Sequence, residues 1–486
     1  MRYWTFIPLS LIMLISSLSL PAQELSSKQQ IIEQMERANG YFMEKWPDPG
    51  EDIVTDKVRP SNLWTRAVYY EGLMALYRIT LDSALYRYAV DWGESHDWEP
   101  TYGLPYTRDG DHQCCGQTYI ELFQISGDTN WIAPIRFNID QMVESTKTDD
   151  WSWIDAIQMS MPVFAKLGTV LEDTSYFRKM YDLYSFTKYH HGDSGLYNSH
   201  DHLWWRDGNF DPPVTTPNGL QMYWSRGNGW VFAALARVLE VIPPNEIHRD
   251  EYLQDFRDMA RALIALQRED GFWNSSLVDP DHYGGKETSG TGFFVYGLAW
   301  GINHGILDSA TYMPYVVMGW EGMVQDALHE SGFLGWVQGT GKEPKDGQPL
   351  AWDKPANFED FGLGAFLLAG SEVWRLAIED TVNTAISPFP QVQPGLQAFL
   401  NAYPNPALGK ISIHYCLNGR SDAGLRLYDL NGRLVQILRN TDLMEAGDYE
   451  TVLTTGDTGD GTIPAGVYFV RFVTGQEILT KKIMLL

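Results

Sequence analysis

The stretch Trp151-Ser-Trp153-Ile-Asp155-Ala-Ile157-Gln158-Met-Ser-Met161-Pro162 sets polar and aromatic residues directly on an apolar helical pattern. Ile157, Met161, Phe164 and Leu167 recur at helical spacing. Asp155 falls on the first turn of the predicted helix, where free N–H groups favour its ionised form. Trp151 and Trp153 would flank it. At this point two readings stand: a helix cap beside two core tryptophans, or a catalytic carboxylate between aromatic platforms.

Working outward, six segments share the character of this one. Gly72 to Tyr77, Gly116 to Phe123, Ala156 to Leu167, Gly229 to Leu239, Gly292 to Leu298 and Gly362 to Leu368 each begin with a small residue and run apolar. Their starts are 44, 40, 73, 63 and 70 residues apart, room for one helical hairpin plus loops each time. Small residues let helices approach closely, and a helix apolar on several faces belongs inside a larger core. Amphipathic segments such as Asp250 to Gln267 lie between them. The predicted fold is therefore all-α: an inner ring of six helices inside an outer ring of six, an (α/α)6 barrel over residues 26–380. An open α-solenoid is the competing arrangement. Four loops, most of them rich in Gly, Asp, His or aromatics, connect these helices, and three of them run straight into an apolar helical start. Functional groups would thus gather on one rim of a rigid scaffold.

The pattern changes near residue 381. Residues 381–402 carry prolines without a period and are predicted as a linker. From 403 to 486 the segments Lys410 to Tyr415, Leu425 to Tyr428, Leu434 to Leu438 and Val467 to Phe472 alternate or run β-branched, with turn signals beside them. This predicts a small all-β sandwich domain. The final run, Ile478 to Leu486, is read as an edge strand, with an export address as the alternative. At the other end, residues 1–22 pair Arg2 with the apolar run Phe6 to Leu20 and a small-residue exit, the pattern of a signal peptide. The apolar run is short for a membrane anchor. The mature protein is expected to be secreted or cell-surface, with no membrane span after processing.

Formal net charge is −26, and an anionic surface repels a polyphosphate, so no nucleic acid is expected as partner. Residues 401–486 hold 8 Lys and Arg against 9 Asp and Glu, a balance of −1, so the acidic excess belongs to the helical part. Aromatics reach 13%, a lean toward the flat platforms of sugar-binding clefts that a large core explains equally well. Cys114, Cys115 and Cys416 make no disulfide framework, and two adjacent thiols alone make no zinc site. No cofactor and no metal are expected.

Asp111 and Asp155 stand at or near the starts of neighbouring inner helices, where they can enter one cleft. Two close carboxylates split their titrations, leaving one protonated near neutrality, as general acid–base work requires. Two unrelated helix-start residues are the alternative. In Trp224-Ser-Arg226-Gly-Asn-Gly-Trp230, the Arg226 fork suits a carboxylate and the glycines admit close backbone approach. A glycine-rich helix cap with a surface arginine is the bland version. His200 would donate to a substrate oxygen, with Trp204, Trp205 and Arg206 walling the same cleft; ordinary loop histidines are the alternative.

These pieces carry a resemblance. Trp153-x-Asp155, Asp111-His112 followed by Cys115-Gly-Gln-Thr-Tyr119, and Trp224-x-Arg226-Gly-Asn-Gly-Trp230 resemble the unsaturated rhamnogalacturonyl hydrolases, glycoside hydrolase family 105, related to the unsaturated glucuronyl hydrolases of family 88. The resemblance covers roughly residues 30–380 and implies an (α/α)6 barrel. It also implies removal of a 4,5-unsaturated uronic acid from the non-reducing end of lyase-made oligosaccharides by hydration of the C4=C5 double bond. Asp155 would be proton donor and general base, Asp111 the second carboxylate. Trp153, Trp224, Arg226 and Trp230 would bind substrate, with Arg226 near the uronate carboxylate and one of His200 and His202 contributing. The tail, with Pro464-Ala-Gly-Val-Tyr468 and Lys481-Lys482, resembles the sorting domain of the type IX secretion system and implies that machinery as a partner. Hydrolysis of saturated glycosides and non-catalytic carbohydrate binding remain as alternatives.

Overall fold

The computed structural model describes residues 25–377, apart from 56, 104–105, 193 and 356–359, and within 399–485 all but 404, 406, 408–409, 418–419, 430–433, 446, 455–462, 465 and 475–477. The expected signal peptide lies outside the described residues, as does the expected linker up to 398. Its last residues belong to a strand, Phe399–Tyr403. The chain divides into two compact units, up to Thr381 and from Val382.

The first unit holds twelve helices of eleven residues or more among its described residues. Six form an outer ring: α1 (Lys28–Lys45), α3 (Ser83–Ser95), α5 (Ala133–Val143), α7 (Thr174–Ser185), α9 (Arg249–Ile264) and α11 (Ser309–Asp326). Six form an inner ring: α2 (Trp64–Thr80), α4 (Gly116–Ser126), α6 (Asp155–Val170), α8 (Ser225–Val241), α10 (Thr288–Asn303) and α12 (Asp360–Leu376). Each apolar segment read from the sequence falls in an inner helix, and those helices are buried nearly all round. Outer helices instead bury one stripe, as in α9 with Tyr252, Phe256, Met259, Ala260 and Leu263.

Each inner helix packs on the next, and α12 packs back on α2, which closes the ring. The closing contact is backbone on backbone. A Cβ placed on Gly72 would lie 2.6 Å from the Gly364 carbonyl oxygen, and one on Gly364 would lie 2.3 Å from that of Val68. Only glycine permits this approach. An open solenoid would leave α2 and α12 unpaired, so the fold is the toroid.

Helix α6 carries a proline inside it, Pro162. Proline has no N–H for the carbonyl four residues back. That carbonyl, of Gln158, instead accepts from the Gln117 side chain of α4 at 2.7 Å. Beyond it a buried polar cluster joins four inner helices: Arg237 donates to Gln117 and Glu121, Lys166 pairs with Glu121, and Gln158 donates to Glu71 at 2.8 Å. Burial acts to raise Glu121, yet Arg78, Lys166 and Arg237 together hold it at about 2.

The second unit is a sandwich of two antiparallel sheets. With β1 (Phe399–Tyr403), β2 (Lys410–Leu417), β3 (Ser421–Asp429), β4 (Leu434–Met444), β5 (Gly447–Thr454), β6 (Gly466–Thr474) and β7 (Ile478–Leu485), the strand orders are β7-β6-β3-β4 and β1-β2-β5. Ile411, Ile413 and Tyr415 alternate inward from β2, and Tyr415 meets Phe472 of β6 across the sandwich at 4.7 Å between ring centroids. The terminal run is an edge strand, pairing Lys481 with Val470 and Lys482 with Phe469. Strands β1 and β5 were not expected, because Phe399–Tyr403 and Gly447–Thr454 show no clean alternation. Among the described residues no helix is long and apolar enough to cross a membrane.

Candidate active site

The N-termini of the inner helices converge on one end of the toroid. Arg66 of α2 pairs with Asp360 of α12 at 2.9 Å, Trp64 of α2 stacks on Phe361, and Arg226 of α8 reaches Ser289 of α10 at 3.4 Å. A short helical turn, Gly110–Gln113, precedes α4 and brings Asp111 to the start of α6. Gly110 makes this possible: a Cβ there would lie 3.3 Å from the Ala156 Cα.

Asp111 and Asp155 thus share one site, and neither acts as a helix cap. Asp109 does that work for the short turn, accepting from the Asp111 N–H at 3.0 Å. Asp155, 8% exposed, accepts on Oδ2 from Arg206 Nε at 3.1 Å and Nη2 at 2.9 Å. Its Oδ1 is buried without a hydrogen-bond partner among the described residues. Burial raises the Asp155 pKa, and Arg206 opposes the rise. Asp111 has no such counterweight in contact. Burial first, then the charges of Asp109 and Asp155, push its carboxyl up to about 8, with Arg206 only lowering it from a distance. The pair therefore favours holding a proton near neutral pH, and Asp111, raised with no cation in contact, is the member pushed furthest toward its neutral form.

Arg206 reaches Asp155 because of the segment that carries it. A hairpin of Tyr197–Asn198 with Leu203–Trp204 delivers the chain back along residues 153–154. The Ile154 N–H donates to the Arg206 carbonyl at 3.0 Å, and Trp153 bridges Asp207. Arg206 Nη1 donates to Asp207 at 2.7 Å. The glycine-rich string on α8 fixes this strand from below. Asn228 accepts from the Trp204 N–H at 2.8 Å and donates to its carbonyl at 3.0 Å.

The rest of that string grips a second loop. Trp224 Nε1 donates to Gln338 Oε1 at 2.8 Å, and Arg226 donates to the carbonyls of Gln338 at 2.8 Å and Gly339 at 2.7 Å. Arg226 is 1% exposed and lies between the rings of Trp224 and Phe361. Burial pulls its pKa down to about 10, so it stays charged at neutral pH. Gln338 spreads the grip further, donating to the carbonyls of Glu343, Pro344 and Asp346.

The other expected residues divide. Trp153 is half-buried beside Asp155, whereas Trp151 is fully buried against Phe164. Trp230 is 1% exposed among Trp64, Phe293 and Phe361. The histidines stand on the hairpin turn. His200 projects into solvent with its Nδ1 on Asp201, and His202 sits at positive φ against Tyr197 and toward Asp258 of α9. Cys114 and Cys115 are buried thiols. Sequence reasoning placed Arg206 only in the cleft wall and missed its contact with Asp155. It also missed Gln338 and the half-buried Trp64. The one available signal was the Arg206-Asp207 pair following two tryptophans.

With this geometry in hand, the relatives can be placed. Residues 34–377 match Glycosyl Hydrolase Family 88. The chain belongs to this family. Residues 401–486 match the secretion system C-terminal sorting domain, which makes the chain an exported, extracytoplasmic protein. The chain is 32% identical over 331 residues to an unsaturated 3S-rhamnoglycuronyl hydrolase of Formosa agariphila, covering 64% of this chain and 84% of that one. A protein of the same description from an Alteromonas species is 31% identical, covering 66% and 79%. A solved glycosyl hydrolase family 88 structure from Bacteroides vulgatus has 33% identity and a TM-score of 0.66, covering 72% of this chain and 99% of that one. The toroid is a glycoside hydrolase domain of this family.

Proposed function

We propose that the toroid removes 4,5-unsaturated uronic acids from the non-reducing ends of oligosaccharides by hydration, with Asp155 as the proton-exchanging residue. The observation that carries this reading is the paired but unequal setting of the two carboxylates. Asp155 offers one free oxygen, Oδ1, and Asp111 holds the pair's proton beside it. Transfer of a proton through Asp155 Oδ1 to C4 leaves positive character at C5, which the ring oxygen shares. Water adds at C5 as Asp155 takes its proton, so the acid is regenerated. The C5 hemiketal opens, C1 becomes a hemiacetal still bearing the second sugar, and its collapse releases that sugar as an alcohol. No bond to C1 is attacked by water, unlike hydrolysis by the two-carboxylate glycosidases. Trp153 supplies an apolar wall, Trp224 and Arg226 hold the 338–339 loop beside it, and Trp230 packs among Trp64, Phe293 and Phe361 beneath. The described positions of His200 and His202 support a role for them no nearer than the outer turn of the hairpin. The two rhamnoglycuronyl hydrolases support an unsaturated uronate linked to rhamnose as the first substrate to try.

The test is Asp155→Asn assayed on an unsaturated uronyl disaccharide. General acid–base catalysis contributes about 10²–10⁴-fold, so turnover should fall at least that far while the fold persists. Asn retains shape but cannot exchange the proton. In the wild type, loss of the enol-ether absorbance should keep pace with or precede release of the second sugar. Release that runs ahead of the absorbance loss would instead indicate cleavage at C1.

A further inference from the structure

The hydration reading puts a carboxylate beside Asp155. The uronate's C6 is bonded to C5, where water adds, and lies two bonds from C4, where Asp155 delivers its proton. An anion so placed meets the charges of Asp155 and Asp207, and needs a cation at the same spot. Arg206 is the cation in contact with Asp155. Its guanidinium has five N–H donors. Two go to Asp155 Oδ2 and one to Asp207, leaving one on each Nη without a partner among the described residues. Its side chain is 20% exposed, so this end is open to a ligand. Arg226 presents a different picture. It is buried between two rings, both Nη groups serve backbone carbonyls of the 338–339 loop, and only its Nε, itself buried, is without a partner among the described residues.

We propose that Arg206 is a substrate-binding residue that takes the uronate carboxylate on its two uncommitted Nη–H groups, while Arg226 acts on binding only by holding the 338–339 backbone. This rests on the hydration reading above. Two parallel bonds from a planar fork to a carboxylate are what lysine cannot reproduce. The arrangement also links recognition to chemistry. The substrate's charge draws on the same guanidinium that Asp155 leans on, so binding loosens Arg206's hold and lets Asp155 accept the proton stored on Asp111. A substrate without the carboxylate leaves Arg206 on Asp155 and the proton in place.

The experiment is calorimetric binding of a saturated uronyl disaccharide and of its methyl ester to wild type, Arg206→Gln, Arg206→Lys and Arg226→Lys. The saturated sugar lacks the double bond, so it reports recognition alone. Wild type should prefer the acid by roughly thirtyfold or more, the size expected for a desolvated charge pair. Arg206→Gln should abolish the preference and Arg206→Lys should shrink it. Arg226→Lys should weaken acid and ester by the same factor. A preference that survives Arg206→Gln, or one that is absent from wild type, overturns the proposal. Should the Gln variant fail to fold, by circular dichroism, an unchanged preference in Arg206→Lys overturns it equally. The hydration reading fails separately, if wild type leaves the enol-ether absorbance of the unsaturated disaccharide intact or cleaves the saturated one.

Discussion

Asp111 and Asp155 are the same residue type within one site, and their surroundings set them apart. The guanidinium of Arg206 is the main difference in contact, with the charge of Asp109 adding to the rise at Asp111. Arg206 touches Asp155 and not Asp111, so burial goes nearly unopposed at Asp111 and its carboxyl is pushed to about 8. This has a consequence for stability. A carboxyl whose pKa rises on folding binds more protons folded than unfolded, so its ionisation costs stability as pH climbs from the ordinary carboxylate range to about 8. Asp111→Asn removes that cost. The variant should track the wild type at a pH-independent offset below the ordinary carboxylate range (where the Asp111 side chain is neutral folded and unfolded), gain on it as pH rises through that range, and hold a constant lead above about 8. Thermal midpoints of both proteins across that range decide it. A lead that does not change with pH would mean that Asp111 ionises freely in the folded protein. Turnover should fall in the same variant, and what remains should lose its alkaline limb. Residue identity alone suggested the pair and its split titration. It did not say which member would hold the proton, because the deciding contact comes from a segment about fifty residues away in sequence.

Elements were more legible than contacts. Helical period and small leading residues found all six inner helices, since each is apolar on several faces and has nowhere to go but inside. Closure was not legible, because a period says nothing of whether the last helix meets the first. The small residues leading the inner segments were read as permitting close helix approach, without saying which pair closes the ring. The string from Trp224 to Trp230 was read as a ligand site, and the structure shows that Trp224, Arg226 and Asn228 also clamp two neighbouring segments. Asn228 holds the strand bearing Arg206, and Trp224 and Arg226 hold the loop beginning at Gln338. Hydrogen bonds to distant backbone leave no trace in local sequence. The glycine contacts invite a paired test. Gly364→Ala puts a methyl into the Val68 carbonyl and should destabilise by about 1–3 kcal/mol as α2 and α12 are forced apart. Gly40→Ala, in the middle of α1 with nothing within 4 Å of the added Cβ, should instead stabilise by about 0.5–1 kcal/mol. Thermal midpoints moving in opposite directions are the expected result. Equal shifts would place the closing contact elsewhere.

At the scale of the whole chain, two units with different tasks follow one another. Each has its own apolar core, one running through the toroid and one between the two sheets. The acidic excess resides in the first, as the near-neutral balance of residues 401–486 requires. The family match ends at residue 377, and the solved Bacteroides vulgatus relative is matched over 99% of its length by 72% of this chain. Everything that relative needs to fold is therefore contained in a share the size of the toroid unit. The groups proposed for chemistry, from Asp111 to Gly339, also lie within it. The sorting domain supplies none of them, and its match is to a secretion signal. A chain ending at residue 385 should thus fold, keep its turnover number and Michaelis constant on an unsaturated uronyl disaccharide, and stay inside the cell envelope when expressed in a host with the secretion system. Full-length protein in the same host should appear in the medium or on the surface. Kinetics of the two purified proteins test the first half and fractionation tests the second. Because the two cores are separate, the truncated chain should also keep the thermal midpoint of the toroid. A drop in turnover at an unchanged midpoint would mean that strands of the sandwich complete the cleft. A drop in both would mean that the toroid needs the sandwich in order to fold.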